Sequence, residues 1–254
     1  MHDSLFDVQG RRALVTGSSR GLGLVLAKAL AERGCHVVIN GRKQSALDEA
    51  AEQLSGLAGS VSTERFDIVN ESEVDTAIGR IEADGPVDIL VNNAGIQIRG
   101  TLESFPVDRW RQIVDVNLTG AFIVARRVVR GMIARRNGKI INMCSVMSDL
   151  GRHTSAPYAA TKGGLRTLTR AMAVDWAQHN IQVNAIGPGY YVTEMTQSLA
   201  DNAEFDAWLR RRTPAGRWGD PRELIGALIL FSSSASDFIS GQLLFVDGGI
   251  TVSL

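Results

Sequence analysis

Tyr158 and Lys162 stand four residues apart in a stretch of helical periodicity, which puts both side chains on one helix face. A lysine ammonium beside a phenol favours the phenolate and brings a weak acid toward the range where it can exchange a proton with a substrate oxygen. The pairing is conspicuous because the chain has only three tyrosines and four lysines. Ser145 lies thirteen residues before Tyr158, just past a strand-like run, where its hydroxyl can hydrogen-bond the same oxygen. Taken alone, Ser145 also reads as an ordinary serine in a strand-to-loop turn. The adjacent Cys144 is a poor nucleophile candidate, because no histidine is placed by motif to activate it and an apolar strand position accounts for it. The chemistry on offer is proton transfer at a hydroxyl or carbonyl oxygen, and a hydride partner would make it a dehydrogenation or a reduction.

A site for such a partner stands near the amino terminus. A strand at residues 13–16 runs into Gly17-Ser18-Ser19-Arg20-Gly21-Leu22-Gly23, and a helix begins there. Glycines at such a junction let the backbone turn sharply and let a pyrophosphate approach the free N–H groups and positive dipole end of the helix. The spacing is G-x-x-x-G-x-G and not the common G-x-G-x-x-G, so the loop by itself is also compatible with a plain β–α turn. The second strand ends in Asn40-Gly41-Arg42-Lys43. An acid at that end would bind the adenosine ribose and repel a 2′-phosphate. Here neutral Asn40 is followed at once by Arg42 and Lys43, and Arg20 lies in the glycine loop. Guanidinium groups suit phosphate through planar, charge-assisted bonds, so three cations expected to converge where an acid is missing point to NADP as cofactor.

The elements that must carry these residues alternate. Residues 13–16, 37–40, 61–66, 89–91, 139–143, 182–186 and 243–246 read as seven strands, rich in Val and Ile without polar alternation, as in a parallel sheet covered on both faces. Between them lie helical segments, such as 21–33 and 155–178, the latter with Leu165, Leu168, Met172 and Trp176 on one stripe. The fold class expected is α/β, a doubly wound Rossmann-type sheet with ligand sites at the carboxyl ends of its strands. There is no repeat, low-complexity tract or dividing linker, so residues 1–254 read as one domain.

Composition narrows the function classes. Lys plus Arg and Asp plus Glu both number 27, and this balance argues against a nucleic-acid or polybasic membrane surface. The runs Arg126-Arg127 with Arg130, and Arg210-Arg211-Arg212, read as solvated helix faces. Met1-His2-Asp3-Ser4 has no signal-peptide pattern, and no apolar stretch approaches the roughly 20 residues that span a bilayer. Cys35 and Cys144 are too few for a disulfide framework and fit a reducing cytoplasm. His2, His36, His153 and His179 show no metal-ligand spacing, so no metal is expected.

Thr16-Gly17-x-x-x-Gly21-x-Gly23, Asn92-Asn93-Ala94-Gly95, Asn117, Ser145, Tyr158-x-x-x-Lys162 and Pro188-Gly189 together resemble the short-chain dehydrogenase/reductase family, almost end to end. The resemblance implies hydride transfer at a nicotinamide, with Tyr158 as general acid/base and Ser145 polarising the substrate oxygen. It implies that Lys162 holds the nicotinamide ribose and lowers the Tyr158 pKa, and that Asn117 holds a water linking Lys162 to solvent. It further implies that Gly17, Ser19, Arg20, Gly21, Leu22, Gly23, Asn40, Arg42, Lys43, Asp67, Asn93 and Gly95 line the cofactor. Within that set Asn93 borders the adenosine ribose and Asp67 the adenine, while Pro188, Gly189, Val192 and Thr193 face the carboxamide. Every position of the catalytic set is filled.

Longer strings resemble the group of this family that interconverts D-gluconate and 5-dehydro-D-gluconate. They are Gly95-Ile96-Gln97, the run from Cys144 to Arg152, Gly189-Tyr190-Tyr191-Val192-Thr193-Glu194-Met195, the run from Thr213 to Gly219, and the ending from Val246 to Leu254. One departure is that Ile98 intervenes before Arg99, where the group has an arginine directly after the glutamine, and this weakens the carry-over of a carboxylate contact to that loop. Gln97 and Arg152 are the substrate-side candidates beside Ser145 and Tyr158. For Arg152 a salt-bridged loop residue is the competing reading, and for Trp218 a packing role competes with a lid. Alternatives to the gluconate reading are a 2-dehydro-3-deoxy-gluconate dehydrogenase, a 3-oxoacyl thioester reductase, or a regulator that binds NADP without turnover. Apolar positions beyond one core stripe in 118–136 and 155–178, and an apolar 250–254, together with the family resemblance, imply a homotetramer of 222 symmetry.

Overall fold

The computed structural model describes residues 4–194 and 196–253; Met1, His2, Asp3, Met195 and Leu254, which figure in the motif, histidine and terminus expectations above, lie outside the described residues. Seven strands form one parallel sheet in the order β3-β2-β1-β4-β5-β6-β7. They are β1 (Arg12–Val15), β2 (His36–Gly41), β3 (Val61–Arg65), β4 (Ile89–Asn92), β5 (Gly138–Met143), β6 (Ile181–Pro188) and β7 (Leu243–Val246). All seven expected strands are present, with ends shifted by one or two residues. The helices are α1 (Gly21–Ala31), α2 (Gln44–Gln53), α3 (Glu71–Ala83), α4 (Val107–Val114), α5 (Gly120–Arg135), α6 (Ala156–Trp176), α7 (Gln197–Ala200), α8 (Ala203–Arg212) and α9 (Ile225–Ser232).

Burial explains the strand composition. Every residue of β4, β5 and β6 is buried, whereas the edge strands β3 and β7 are partly open, so the central strands need apolar side chains on both faces. One core cluster packs Val15, Leu26, Leu30, Val37, Ile39 and Leu228 on one face of the sheet. A second packs Leu14, Val38, Ile78, Leu90, Val128 and Met172 on the other. The α6 stripe falls as expected, with Leu165 and Met172 buried and Leu168 and Trp176 packed against the second cluster. Pro157 sits in the first turn of α6, where its missing N–H costs no intrahelical bond, so the helix can start directly before Tyr158. The strand order reverses between β1 and β4, and the crevice outside their carboxyl ends is the expected ligand site of such a sheet.

The arginine runs, expected as solvated faces, are only partly so: Arg130 and Arg211 are exposed, while the Arg127 side chain is 18% exposed. Arg126 pairs with Glu71, Arg127 with Asp75 and Glu82, and Arg210 with Asp206. No helix among the described residues is long and apolar enough to cross a membrane.

Candidate active site

The glycine loop is built for close approach. Gly17 has φ +61° and Gly21 φ +57°, left-handed conformations that favour glycine. A side chain on Gly17 would meet the Ala94 backbone at 2.7 Å, and one on Gly23 would meet the Gly17 carbonyl oxygen at 2.4 Å. Helix α1 starts at Gly21 with Arg20 as N-cap and no side-chain cap, leaving first-turn N–H groups for an anion. Loop and helix end therefore fit a dinucleotide pyrophosphate.

Two asparagines expected to border the cofactor bond their carboxamides to backbone groups around the glycine loop. Asn40 is buried, its Oδ1 accepts from the Gly17 N–H (3.2 Å), and its Nδ2 donates to the carbonyls of Glu64 (3.2 Å) and Phe66 (3.1 Å). Ser18 completes the strap, its hydroxyl accepting from the Asn40 N–H at 3.0 Å. Asn93 donates to the carbonyls of Thr16 (2.9 Å) and Gly17 (3.0 Å), while the Thr16 hydroxyl accepts from the N–H groups of Asn93 and Ala94. Both carboxamides are committed to buried backbone groups and shape the loop. Asn40→Ala would leave three such groups without partners. We expect it to cost about 2–4 kcal/mol of stability, read by urea unfolding, and to weaken NADPH binding.

The cations divide. Arg42 and Lys43 adjoin at the β2–α2 turn, with Arg42 4.0 Å from the Asp67 carboxylate. Arg20, exposed in the glycine loop, pairs with the Glu194 carboxylate on the loop beyond β6 at 3.0 Å. Ser19 packs beside Gly41 at the same turn. Of the carboxamide-side residues, Gly189 donates its N–H to the Val246 carbonyl (3.0 Å), leaving no room for a side chain against Asp247, and Thr193 is tied to Thr196. Pro188 ends β6, and Val192 is exposed in the loop beyond it.

The catalytic candidates meet at the carboxyl ends of β4 and β5. The Ser145 hydroxyl accepts from the Met147 N–H (3.1 Å). Burial pushes the Tyr158 phenol up to about 12, and the Ser145 hydroxyl beside it pulls it down against this. The Lys162 ammonium lies 5.5 Å from the centre of the Tyr158 ring and donates to the Met143 carbonyl at 2.6 Å. Lys162 is buried and forms no ion pair with a carboxylate among the described residues, and desolvation holds its pKa below the usual lysine range. One of its three N–H donors is used, leaving two for a ligand hydroxyl. The Ser148 hydroxyl donates to the Lys162 carbonyl (3.0 Å) and Asp149 pairs with Arg166, strapping the Ser145 turn to α6. Burial also pushes the Cys144 thiol up, against a nucleophilic role.

Asn117 sits in a π turn, Asp115–Thr119, between α4 and α5. Its carboxamide accepts from the Ile96 N–H (2.8 Å) and donates to the Ile96 carbonyl (2.9 Å) and the Thr161 hydroxyl (3.2 Å). Gly95 fits between it and Lys162, since an added Cβ would lie 3.3 Å from the Asn117 oxygen and 3.7 Å from the Lys162 nitrogen. Single π turns inside helices recur at functional sites, but no periodicity signal exposes this one. Sequence reasoning also missed the buried chain beneath the site, in which Asn92 donates to Asn142 (2.9 Å) and Asn142 to Thr169 (2.9 Å).

On the substrate side, Gln97 and Arg152 both donate to the Ser155 hydroxyl, at 3.4 and 3.2 Å. Neither Arg152 nor Arg99 forms an ion pair with a carboxylate among the described residues. Lost hydration first and the Arg152 charge second hold Arg99 below its usual range. Trp218 is buried and donates to Asp206 (2.7 Å), so its packing reading holds.

The model of the short chain dehydrogenase family matches residues 11–204. A gluconate 5-dehydrogenase of Gluconobacter oxydans (strain 621H) is 50% identical over 254 residues, spanning 100% of this chain and 99% of that protein. A 5-keto-D-gluconate 5-reductase of Escherichia coli (strain K12) is 47% identical over 253 residues, spanning 99% of this chain and 100% of that protein. The crystal structure of a gluconate 5-dehydrogenase from Burkholderia cenocepacia J2315, in complex with NADP and tartrate, superposes with a TM-score of 0.96 at 51% identity and covers 99% of each chain. The chain is an oxidoreductase that belongs to the short chain dehydrogenase family.

Proposed function

We propose that this protein is an NADP-dependent oxidoreductase that interconverts D-gluconate and 5-dehydro-D-gluconate. The observation that carries the reading is the convergence, at one edge of the sheet, of Tyr158 and Lys162 with the Arg152 guanidinium, which stands over Tyr190, bonds Ser155 and has no carboxylate partner among the described residues. Relatives with these activities, one of them crystallised with NADP and a hydroxy-acid anion, match the whole chain and support it.

NADP, when bound, supplies the hydride donor or acceptor. In reduction Tyr158 gives its phenolic proton to the C5 carbonyl oxygen as the hydride reaches C5, and in oxidation the phenolate takes the C5 hydroxyl proton. Ser145, its lone pair already occupied by the Met147 N–H, donates to the same oxygen. Lys162 directs its remaining N–H groups at the nicotinamide ribose, and a water at the Asn117 turn returns the proton to Tyr158. Gln97 and Arg152 face the carboxylate. Gly17, Ser19, Gly21, Leu22 and Gly23 cradle the pyrophosphate, Arg20, Arg42 and Lys43 the 2′-phosphate, and Asp67 the adenine. Asn40, Asn93 and Gly95 shape that site, and Pro188, Gly189, Val192 and Thr193 hold the carboxamide. The test is the initial rate of NADPH oxidation across sugar acids, 2-dehydro-3-deoxy-gluconate and acyl thioesters. The largest kcat/KM is expected for 5-dehydro-D-gluconate, and a larger value for another member would replace this substrate.

NADPH is expected to exceed NADH in kcat/KM by at least about tenfold, and Arg20→Ala combined with Arg42→Ala is expected to erase most of the difference. A wild type that prefers NADH would overturn the 2′-phosphate assignment.

The whole chain, residues 1–254, is read as one domain acting in the cytoplasm on a small-molecule substrate, with neither nucleic acid nor membrane as partner. Its two buried free cysteines support that compartment. A homotetramer is supported by apolar side chains left exposed on the expected faces, Phe122 on α5, Val174 on α6 and Val252 near the carboxyl terminus. Light scattering should give roughly 110 kDa, four times the 27.4 kDa chain, and a monomer mass at micromolar concentration would contradict it.

A further inference from the structure

Arg152 occupies an unusual position for a surface arginine. It lies in the loop between the Ser145 turn and α6, is half-buried, and forms no ion pair with a carboxylate among the described residues. Its guanidinium stacks over two rings, 5.3 Å from the centre of Phe205 and 5.8 Å from that of Tyr190, and donates to the Tyr190 hydroxyl (3.3 Å) and the Ser155 hydroxyl (3.2 Å). The loop is held under strain: Thr154, a β-branched residue, has φ +65°, and its carbonyl accepts from the Gly100 N–H on the loop after β4.

Phe205 belongs to α8, a helix that sits over the cleft. Asn202 caps it by accepting from the Phe205 N–H (2.9 Å), and Leu209 is its buried anchor. Phe205 lies 5.8 Å from Tyr190 and 6.3 Å from Trp218, while the Trp218 indole N–H donates to Asp206 on the same helix. This aromatic group packs with Val146, Met147 and Tyr158, next to Ser145. One guanidinium thus touches the covering helix, the loop after β6 and the start of the catalytic helix.

We propose that Arg152 couples capture of a substrate carboxylate to the seating of α8 over the catalytic centre, and so sets a preference for anionic over neutral polyols. The inference rests on the sugar-acid reading above and adds a coupling to it. A planar cation flanked by aromatic rings keeps its fork of N–H donors at one edge, where a carboxylate can bind two of them. The bound anion orders the guanidinium, the ordered guanidinium fixes Phe205, and Phe205 carries α8. A neutral polyol of the same shape lacks the first link.

The test uses the full-length protein loaded with NADPH, with which D-gluconate cannot react, and reads the change in tryptophan emission, two of the four tryptophans, Trp208 and Trp218, flanking Phe205. Titration with D-gluconate is expected to change that emission saturably, and D-gluconamide, the neutral amide, is not. Arg152→Gln should abolish the response and raise KM for 5-dehydro-D-gluconate at least about tenfold, with unchanged affinity for NADPH as the check on folding. Arg152→Lys should recover little, because a point charge lacks the planar fork. Phe205→Leu should keep carboxylate binding but lose most of the emission change. Equal responses to gluconate and gluconamide, no response in the wild type, or an undiminished response in Arg152→Gln would each overturn the coupling. If the wild type instead turns over a different carbonyl, the substrate reading fails while the titration still decides the coupling, since it needs no turnover.

Discussion

Tyr158→Phe is expected to bind NADPH with nearly unchanged affinity while its turnover falls by about 10²–10⁴-fold, the usual loss on removing a general acid/base. The substitution deletes one oxygen. That oxygen stands beside the Ser145 hydroxyl, so what is lost is the proton path and not a support of the glycine loop. The ring stays in its cluster with Val146, Met147 and Trp218, and the helix start at Pro157 is untouched. Fluorescence titration with NADPH and single-turnover rates separate the two effects. A phenylalanine variant with near-normal turnover would remove Tyr158 from the mechanism.

Lys162→Ala is expected to damage both binding and turnover. The ammonium is buried, holds the Met143 carbonyl at the end of β5, and has two donors left for the ribose. We expect NADPH affinity to fall at least about tenfold and kcat by a further factor of about 10². The pH dependence supplies a sign. Oxidation needs the phenolate, and burial pushes the Tyr158 phenol up to about 12. A nearby cation favours the charged form and opposes that rise, so its removal raises the apparent pKa. The ascending limb of the pH–rate profile for gluconate oxidation should therefore move to higher pH in the variant. Movement to lower pH would contradict the electrostatic role of Lys162.

What was legible in the sequence follows from the range of the forces involved. Strands buried on both faces need near-continuous Val and Ile, and the Tyr158–Lys162 pair needs only helix geometry, so the sheet and the catalytic helix can be read locally. The backbone bonds of Asn40 and Asn93 could not be read that way. Their partners, Glu64, Phe66, Thr16 and Gly17, are backbone groups in or just beyond other strands, and a cleft-facing and a core-facing asparagine look alike in one dimension. The pairing of Arg20 with Glu194, on the loop beyond β6, could not be read locally either. The π turn at Asn117 leaves no periodic trace either, since one inserted residue shifts the phase without breaking the helix. Arg152 had two sequence readings, and the structure sets it against rings, with no carboxylate partner among the described residues.

The central claim is that a hydride passes between NADP and C5 of a sugar acid held at Ser145 and Tyr158. It is tested most directly by reducing 5-dehydro-D-gluconate with NADPH carrying deuterium at one or the other C4 position and examining the product by NMR. The account predicts D-gluconate with a single deuterium on C5 from one of the two labelled cofactors and none from the other. Product without deuterium on C5 from either cofactor, or label at a different carbon, would contradict it.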